Sequence, residues 1–117
     1  MISLTIPGRL PSLNETLRMN RYARTRKNEK LMWIVYIAAG RVEGNKNPRL
    51  CHLVITIYQK TRRYDEDNVH GACKGLIDCL RKLGYIYHDS LDWLDLDIRQ
   101  ALDHKNPRIE IEIEDVT

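Results

Sequence analysis

The sequence predicts an α/β chain of the α+β kind, a single mixed β-sheet with two main helices packed on it. Three observations point there. The 117 residues hold one modest core, so 1–117 is expected to be one domain. Apolar and polar residues alternate near both ends, at residues 2–6, 94–99 and 109–114, as half-buried strands require. Between them, two stretches with apolar residues at three- and four-residue steps flank an almost continuously apolar, β-branched run at 50–58.

Each element has its own justification. Ile2-Ser-Leu-Thr-Ile6 is a first strand stopped by Pro7-Gly8, and Pro11-Ser12-Leu13-Asn14 is a loop. Leu31, Ile34, Val35, Ala38 and Val42 mark a helix from about Asn28, ended by Gly44-Asn45. Trp33 and Tyr36 lie off that stripe and require a second contact surface, first of all a sister subunit. Asn45 to Arg49 is a turn. Leu50 to Tyr58 reads as a central strand covered on both faces. Val69, Ala72, Cys73, Leu76, Leu80 and Leu83 define a second helix, closed by Lys82 and Gly84. Tyr85-Ile-Tyr-His88 is a short strand ending at Asp89, and Asp103 to Pro107 turns an antiparallel hairpin between the last two strands.

The net charge of +3 hides an asymmetry. Residues 1–63 carry 13 basic and 3 acidic side chains, net +10, and residues 64–117 carry 6 and 13, net −7. A phosphate-gripping half joined to a metal-gripping half explains this, as does pairing of the two halves with each other or with a sister subunit. Arg18, Arg21, Arg24, Arg26, Lys27 and Lys30, with Tyr22 among them, suit contact with a DNA backbone and equally a solvated helix start. The longest apolar stretch, Leu31 to Ala39, is too short to span a membrane, and Met1 to Pro7 has no signal design. A cytoplasmic protein with no membrane association is expected. Cys51, Cys73 and Cys79 are odd in number without close-paired spacing, and read as reduced, buried small hydrophobes. Histidines 52, 70, 88 and 104 lack paired ligand spacing and read as surface or core residues.

The chemistry concentrates in Arg62-Arg63-Tyr64-Asp65-Glu66-Asp67-Asn68, just ahead of the second helix, and in Asp89 after it. Asp65 and Asp67, two apart on an extended segment, point the same way. A parallel crossover from the central strand through the helix to the short strand places Asp65 and Asp89 at one carboxyl edge. A helix from Asp67 to Leu83 climbs roughly 25 Å. A strand of four or five residues recovers only roughly 15 Å, so the helix is expected to tilt. Magnesium takes hard oxygen ligands and keeps several waters, so two or three carboxylates plus phosphate oxygens suffice. Bound metal lowers the pKa of a water, orients it for in-line attack and offsets charge on the transition state. Lys74, two turns along the same helix face as Asp67, is placed to neutralise developing charge, and Arg62 and Arg63 to bring in the phosphate. The same acidic residues also serve to complement a helix dipole, with Asp67 or Asn68 as its cap. A calcium loop does not fit, since Leu76 stands at the twelfth position.

Together these motifs resemble the RusA-type Holliday-junction resolvases, small homodimeric, magnesium-dependent endonucleases common in bacteria and their prophages. The likeness runs through Pro11-Ser12-x-Asn14, Arg63-x-Asp65-x-Asp67-Asn68, Lys74-Gly-Leu-Ile-Asp78-x-Leu80, Gly84 and Asp89-Ser90, and is densest between Arg63 and Ser90. It implies that Asp65, Asp67 and Asp89 are the catalytic, metal-binding carboxylates and that Lys74 is the helix lysine required for cleavage. Two positions depart. Many relatives carry the lysine three residues after the asparagine, where this chain has Gly71, although the step from Lys74 to Asp78 is kept. The family's second acidic site is often an Asp-Asp pair, and His88 stands at its first member. The resemblance further implies a two-fold dimer that nicks a four-way DNA junction symmetrically in recombination and repair. It implies Mg2+ as the cofactor, with Mn2+ as substitute and no organic cofactor, and a basic surface that holds the junction arms; by their charge, the six basic residues from Arg18 to Lys30 are assigned to that surface. The alternatives are a non-catalytic DNA-binding or regulatory module on the same fold, and a nuclease preferring forks or flaps.

Overall fold

A computed structural model describes residues 1–8 and 17–116 of the chain. Along them run β1 (Ile2–Pro7), α1 (Arg21–Ala38), β2 (Leu50–Gln59), α2 (Glu66–Lys82), β3 (Leu94–Leu102) and β4 (Arg108–Val116). The loop expected at Pro11 to Asn14 lies outside the described residues. The strands form one mixed sheet in the order β1-β4-β2-β3, with two helices on it, which is the expected fold class. No helix among the described residues is long and apolar enough to cross a membrane.

Strand neighbours differ from expectation. The hairpin between the last two strands does not form: β4 pairs antiparallel with β1 and β2, while β3 pairs parallel with β2 at the sheet edge. Burial explains the choice. Ile109, Ile111 and Ile113 sit in the cross-strand rows Ile6–Ile109–Ile57, Leu4–Ile111–Ile55 and Ile2–Ile113–Leu53. These isoleucines are fully buried and gain apolar neighbours on both sides, whereas Leu96 and Ile98 are half-buried and tolerate the edge. Alternation along one strand says which face is wet, and is silent on which strand lies alongside.

β2 is interior to the sheet but covered on one face. Cys51, Leu53, Ile55 and Ile57 are buried under the helices, while His52, Val54, Thr56 and Tyr58 on the other face are half-buried. Polar partners line that other face. His52 Nδ1 lies 2.7 Å from Asp95 Oδ2. The Arg108 guanidinium stacks 3.8 Å above the Tyr58 ring and donates to Asp103 at 2.8 Å and to Glu110 at 3.2 Å. The three cysteines are free and buried, as expected, and burial pushes the Cys73 thiol up to about 12. The fifth inward position of β2 holds Gln59, whose Nε2 is buried without a hydrogen-bond partner. Such an orphan donor ordinarily costs about 1–3 kcal/mol.

α1 begins seven residues before the expected start at Asn28. The Asn20 side chain accepts from the Ala23 amide at 2.8 Å and caps the helix, and the basic residues that follow are good helix formers. The helix also ends earlier. Gly40, at φ 73°, donates to the Ile37 carbonyl while Arg41 donates to that of Tyr36, a glycine-terminated turn that leaves Val42 outside the apolar stripe. Leu31 and Val35 are the buried residues of α1, and Lys27 and Asn28 approach Gly75 of α2.

The segment expected as a short strand at Tyr85 to His88 is not one. α2 ends in the same kind of turn as α1: Gly84, at φ 81°, donates to Arg81 and Tyr85 donates to Leu80. That turn folds Tyr85 and Ile86 into the core, so their apolar character comes from a helix exit. A latch from the 44–49 segment holds it. Asn45 N and Arg49 Nη2 each donate to the Gly84 carbonyl at 2.9 Å, and the Lys46 ammonium donates to that of Lys82. Cations at a helix carboxyl end oppose its negative pole. A Cβ on Gly44 would lie 1.7 Å from the Leu83 oxygen, so the latch closes only over glycine. The crossover from β2 therefore returns through β3. Its nine residues recover roughly 30 Å, matching the roughly 25 Å that α2 descends, with no need for tilt.

Candidate functional site

β2 delivers the chain to the acidic motif. Beyond it, the Gln100 side chain accepts from Tyr64 N at 2.9 Å and donates to Tyr64 O at 3.0 Å, imitating a strand partner and pinning the residue before Asp65. No sequence motif marks Gln100. Its one signal is a polar residue at an inward-facing position of β3, after Leu94, Leu96 and Ile98.

Asp65 is the residue before α2, with extended backbone, but its side chain makes no cap hydrogen bond. Glu66 and Asp67 occupy the first turn, and Arg81 and Lys82 the last, each sign matched to the nearer pole of the helix dipole. The Asp65 and Asp67 carboxylates are exposed, with no hydrogen-bond or ion-pair partner among the described residues. From Asp67 the residues His70, Lys74, Ile77 and Arg81 follow at three- and four-residue steps, forming one stripe of α2. The expected alignment of Asp67 with Lys74 is present. Ile77 lies on the floor of a groove of about 190 Å³, with Leu94, Leu96 and Ile98 of β3 opposite and His70, Lys74 and Asp89 around it.

Asp89 departs from expectation. It does not follow a strand but precedes β3, whose first residue Leu94 pairs with Cys51 at the start of β2. Asp65 lies past the end of β2. The two residues therefore belong to opposite ends of the parallel pair. Asp89 Oδ1 is 3.1 Å from His88 Nδ1 and 4.0 Å from Arg81 Nη1, near the carboxyl end of α2. Among the described residues, no three His, Cys, Asp or Glu side chains are gathered closely enough to hold a metal ion. A cage of Asp65, Asp67 and Asp89 is thus not assembled here. The extended segment expected to aim Asp65 and Asp67 the same way is not there, because Asp65 stands before α2 and Asp67 lies in its first turn, where residues two apart do not share a face. Each still offers a free carboxylate, and magnesium commonly takes one or two of these and completes its shell with water and phosphate oxygens.

The basic arm is mostly exposed: Arg18, Arg21, Arg24, Arg26 and Lys30 face solvent, and Lys27 is half-buried over α2. Arg24 donates to the Leu17 carbonyl at 3.2 Å. The first turn of α1 holds no acidic residue, so cations stand at the positive pole of that helix. A cation such as Arg21 at that pole does not help the helix by itself. Arg62 and Arg63 are exposed on the approach to Asp65. Trp33 is 64 % exposed, meets Tyr36 edge to face, and lines an apolar groove with Met32, Tyr36 and Leu83.

Replacing Gln100 by leucine removes both hydrogen bonds to Tyr64 while placing an apolar neighbour beside Ile57. Hydrogen exchange at the Tyr64 to Asp67 amides should quicken about tenfold or more, with global stability changed by under about 1.5 kcal/mol. Unchanged exchange there would show that Gln100 does not hold the motif. Compared with known proteins, the chain matches no protein-family model and no curated protein.

Proposed function

We propose that the chain is a magnesium-dependent endodeoxyribonuclease that resolves four-way DNA junctions by paired nicks, working as a two-fold dimer in a bacterial or prophage-bearing cytoplasm. The observation that carries this reading is that Asp65 and Asp67 stand exposed and unpartnered among the described residues at the head of α2, Asp67 on one stripe with Lys74, just after the exposed Arg62 and Arg63. In this reading Asp65 and Asp67 hold the ion. Bound there, magnesium supplies a water of lowered pKa and positive charge beside the phosphate. The chain's own residues do the rest. Arg62 and Arg63 take the approaching phosphate as paired donors, and the Lys74 ammonium faces the oxygen on which charge develops. The apolar floor of Ile77, Leu94 and Ile98 keeps water from the far side of the groove. α1 grips the duplex arms with its exposed cations. The face of Trp33 and Tyr36 is the surface for the sister chain.

A second reading, a DNA-binding module without cleavage, is favoured by the position of Asp89 away from Asp65 and Asp67. One experiment separates the two: a labelled mobile four-way junction and a linear duplex of the same sequence, with and without magnesium. The nuclease reading expects magnesium-dependent paired nicks in the junction alone. Asp67→Asn should slow nicking more than about 100-fold while junction affinity stays within about threefold. Junction binding without nicking by the wild-type chain would favour the module.

Charge reversal tests the basic arm. In Arg21→Glu with Arg26→Glu and Lys30→Glu, the slope of log affinity against log salt should flatten by about 0.9 for each phosphate that the arm no longer neutralises. Circular dichroism should stay native, because all three side chains face solvent. An unaltered slope would remove α1 from the DNA surface.

A further inference from the structure

We propose that the cavity at the carboxyl end of β2 is a phosphate-binding site with the buried amide of Gln59 as its innermost donor. The cavity holds about 260 Å³ and is lined by Gly8, Gln59, Lys60, Thr61, Arg62 and Pro107. Gln59 is 6 % exposed, and its Nε2 is the one buried side-chain nitrogen or oxygen without a partner among the described residues. Buried donors are nearly always satisfied, so a lone exception on a residue that lines a cavity points to something that occupies the cavity.

The lining names the class of ligand. It offers an amide N–H, an ammonium, a guanidinium and a hydroxyl, and no Asp or Glu lines it. A group that satisfies this set accepts from several directions and carries negative charge. Phosphate does both, through tetrahedral oxygens that accept charge-assisted hydrogen bonds. The register makes the choice of residue informative. Cys51, Leu53, Ile55 and Ile57 fill the other inward positions of β2 with apolar groups, and the pattern breaks at the end nearest Asp65. Methionine at position 59 would fill the same volume with no orphan donor. Space is open at the cavity rim, where a Cβ on Gly8 would meet nothing within 4 Å. The site shares one lining residue, Arg62, with the nuclease reading, in which Gln59, Lys60 and Thr61 have no role. Its phosphate comes either from a DNA strand or from a free phosphate compound.

The test follows the Gln59 side-chain amide signals of the full chain by 1H–15N spectra in magnesium-free buffer. One arm adds inorganic phosphate, a second adds oligothymidylate without terminal phosphates, and a third adds acetate at equal ionic strength. Saturable movement of the Gln59 signals with phosphate or oligothymidylate, and none with acetate, is expected. Movement with oligothymidylate that excess phosphate reverses assigns the ligand to a DNA strand; movement with phosphate alone assigns it to a free compound. Gln59→Met should melt at or above the wild-type temperature, yet bind about tenfold or more weakly. Gln59→Glu, which places a carboxylate in the wall, should abolish binding. Immobile Gln59 signals in both phosphate arms, equal movement with acetate, or undiminished affinity in Gln59→Met would overturn the proposal. Neither ligand arm measures nicking, so failure here and failure of the nuclease reading are seen separately.

Discussion

The parallel pairing of β2 with β3 is the constraint on which the rest of the structure depends. Two adjacent parallel strands cannot be joined by a tight turn, so the chain must cross over, and α2 is that crossing. The acidic motif is thereby set where β2 ends and α2 begins, and Asp89 is left at the start of the return strand. The groove between them runs along α2. There His70, Lys74 and Ile77 of α2 line it together with the β3 residues Leu94, Leu96 and Ile98. The latch at Gly44 and Gly84 matters for the same reason, since it fixes the angle at which the chain leaves α2.

The two helices carry opposite electrostatic designs. α2 has acids at its positive end and bases at its negative end, an arrangement that stabilises the helix by itself. α1 crowds Arg21 and Arg24 onto its positive end with no acid in the first turn. Helix dipole and side-chain charge there add rather than cancel. The chain as a whole is only mildly basic, so this concentration of positive charge on α1 is local. Gln59 repeats the theme at smaller scale, as a buried donor left without an acceptor. Gln59 closes the strand that leads into the acidic motif.

Much of the fold was legible because local periodicity reports burial. The alternation at 2–6 and 109–114 and the apolar stripe of α2 became β1, β4 and a buried helix face. Three things were hidden, each for a physical reason. The start of α1 is polar and set by the Asn20 cap, so apolar spacing could not reveal it. The apolar run at 85–88 has the composition of a strand, yet a glycine at positive φ turns it onto the core. Strand order depends on which rows are most deeply buried across the sheet, a non-local property. The candidate site divided along the same line. Asp67 and Lys74 share one helix, and their alignment followed from spacing alone, whereas the start of the helix at Glu66 took Asp67 off the extended segment expected to align it with Asp65. The place of Asp89 depended on the element at 85–88 and shifted with it. Gln59 and Gln100 carry no motif, and their only trace is a polar residue where the alternation asks for an apolar one.

Whether the head of α2 takes a divalent cation decides the function of the whole chain. Paramagnetic broadening by substoichiometric Mn2+, read from amide signals across the chain, tests this without substrate. Broadening should centre on Asp65 to Asn68, weaken along α2 toward Arg81, and disappear in Asp67→Asn. Broadening that is absent from that segment, or that centres on another part of the sheet, would contradict cation binding by the acidic motif.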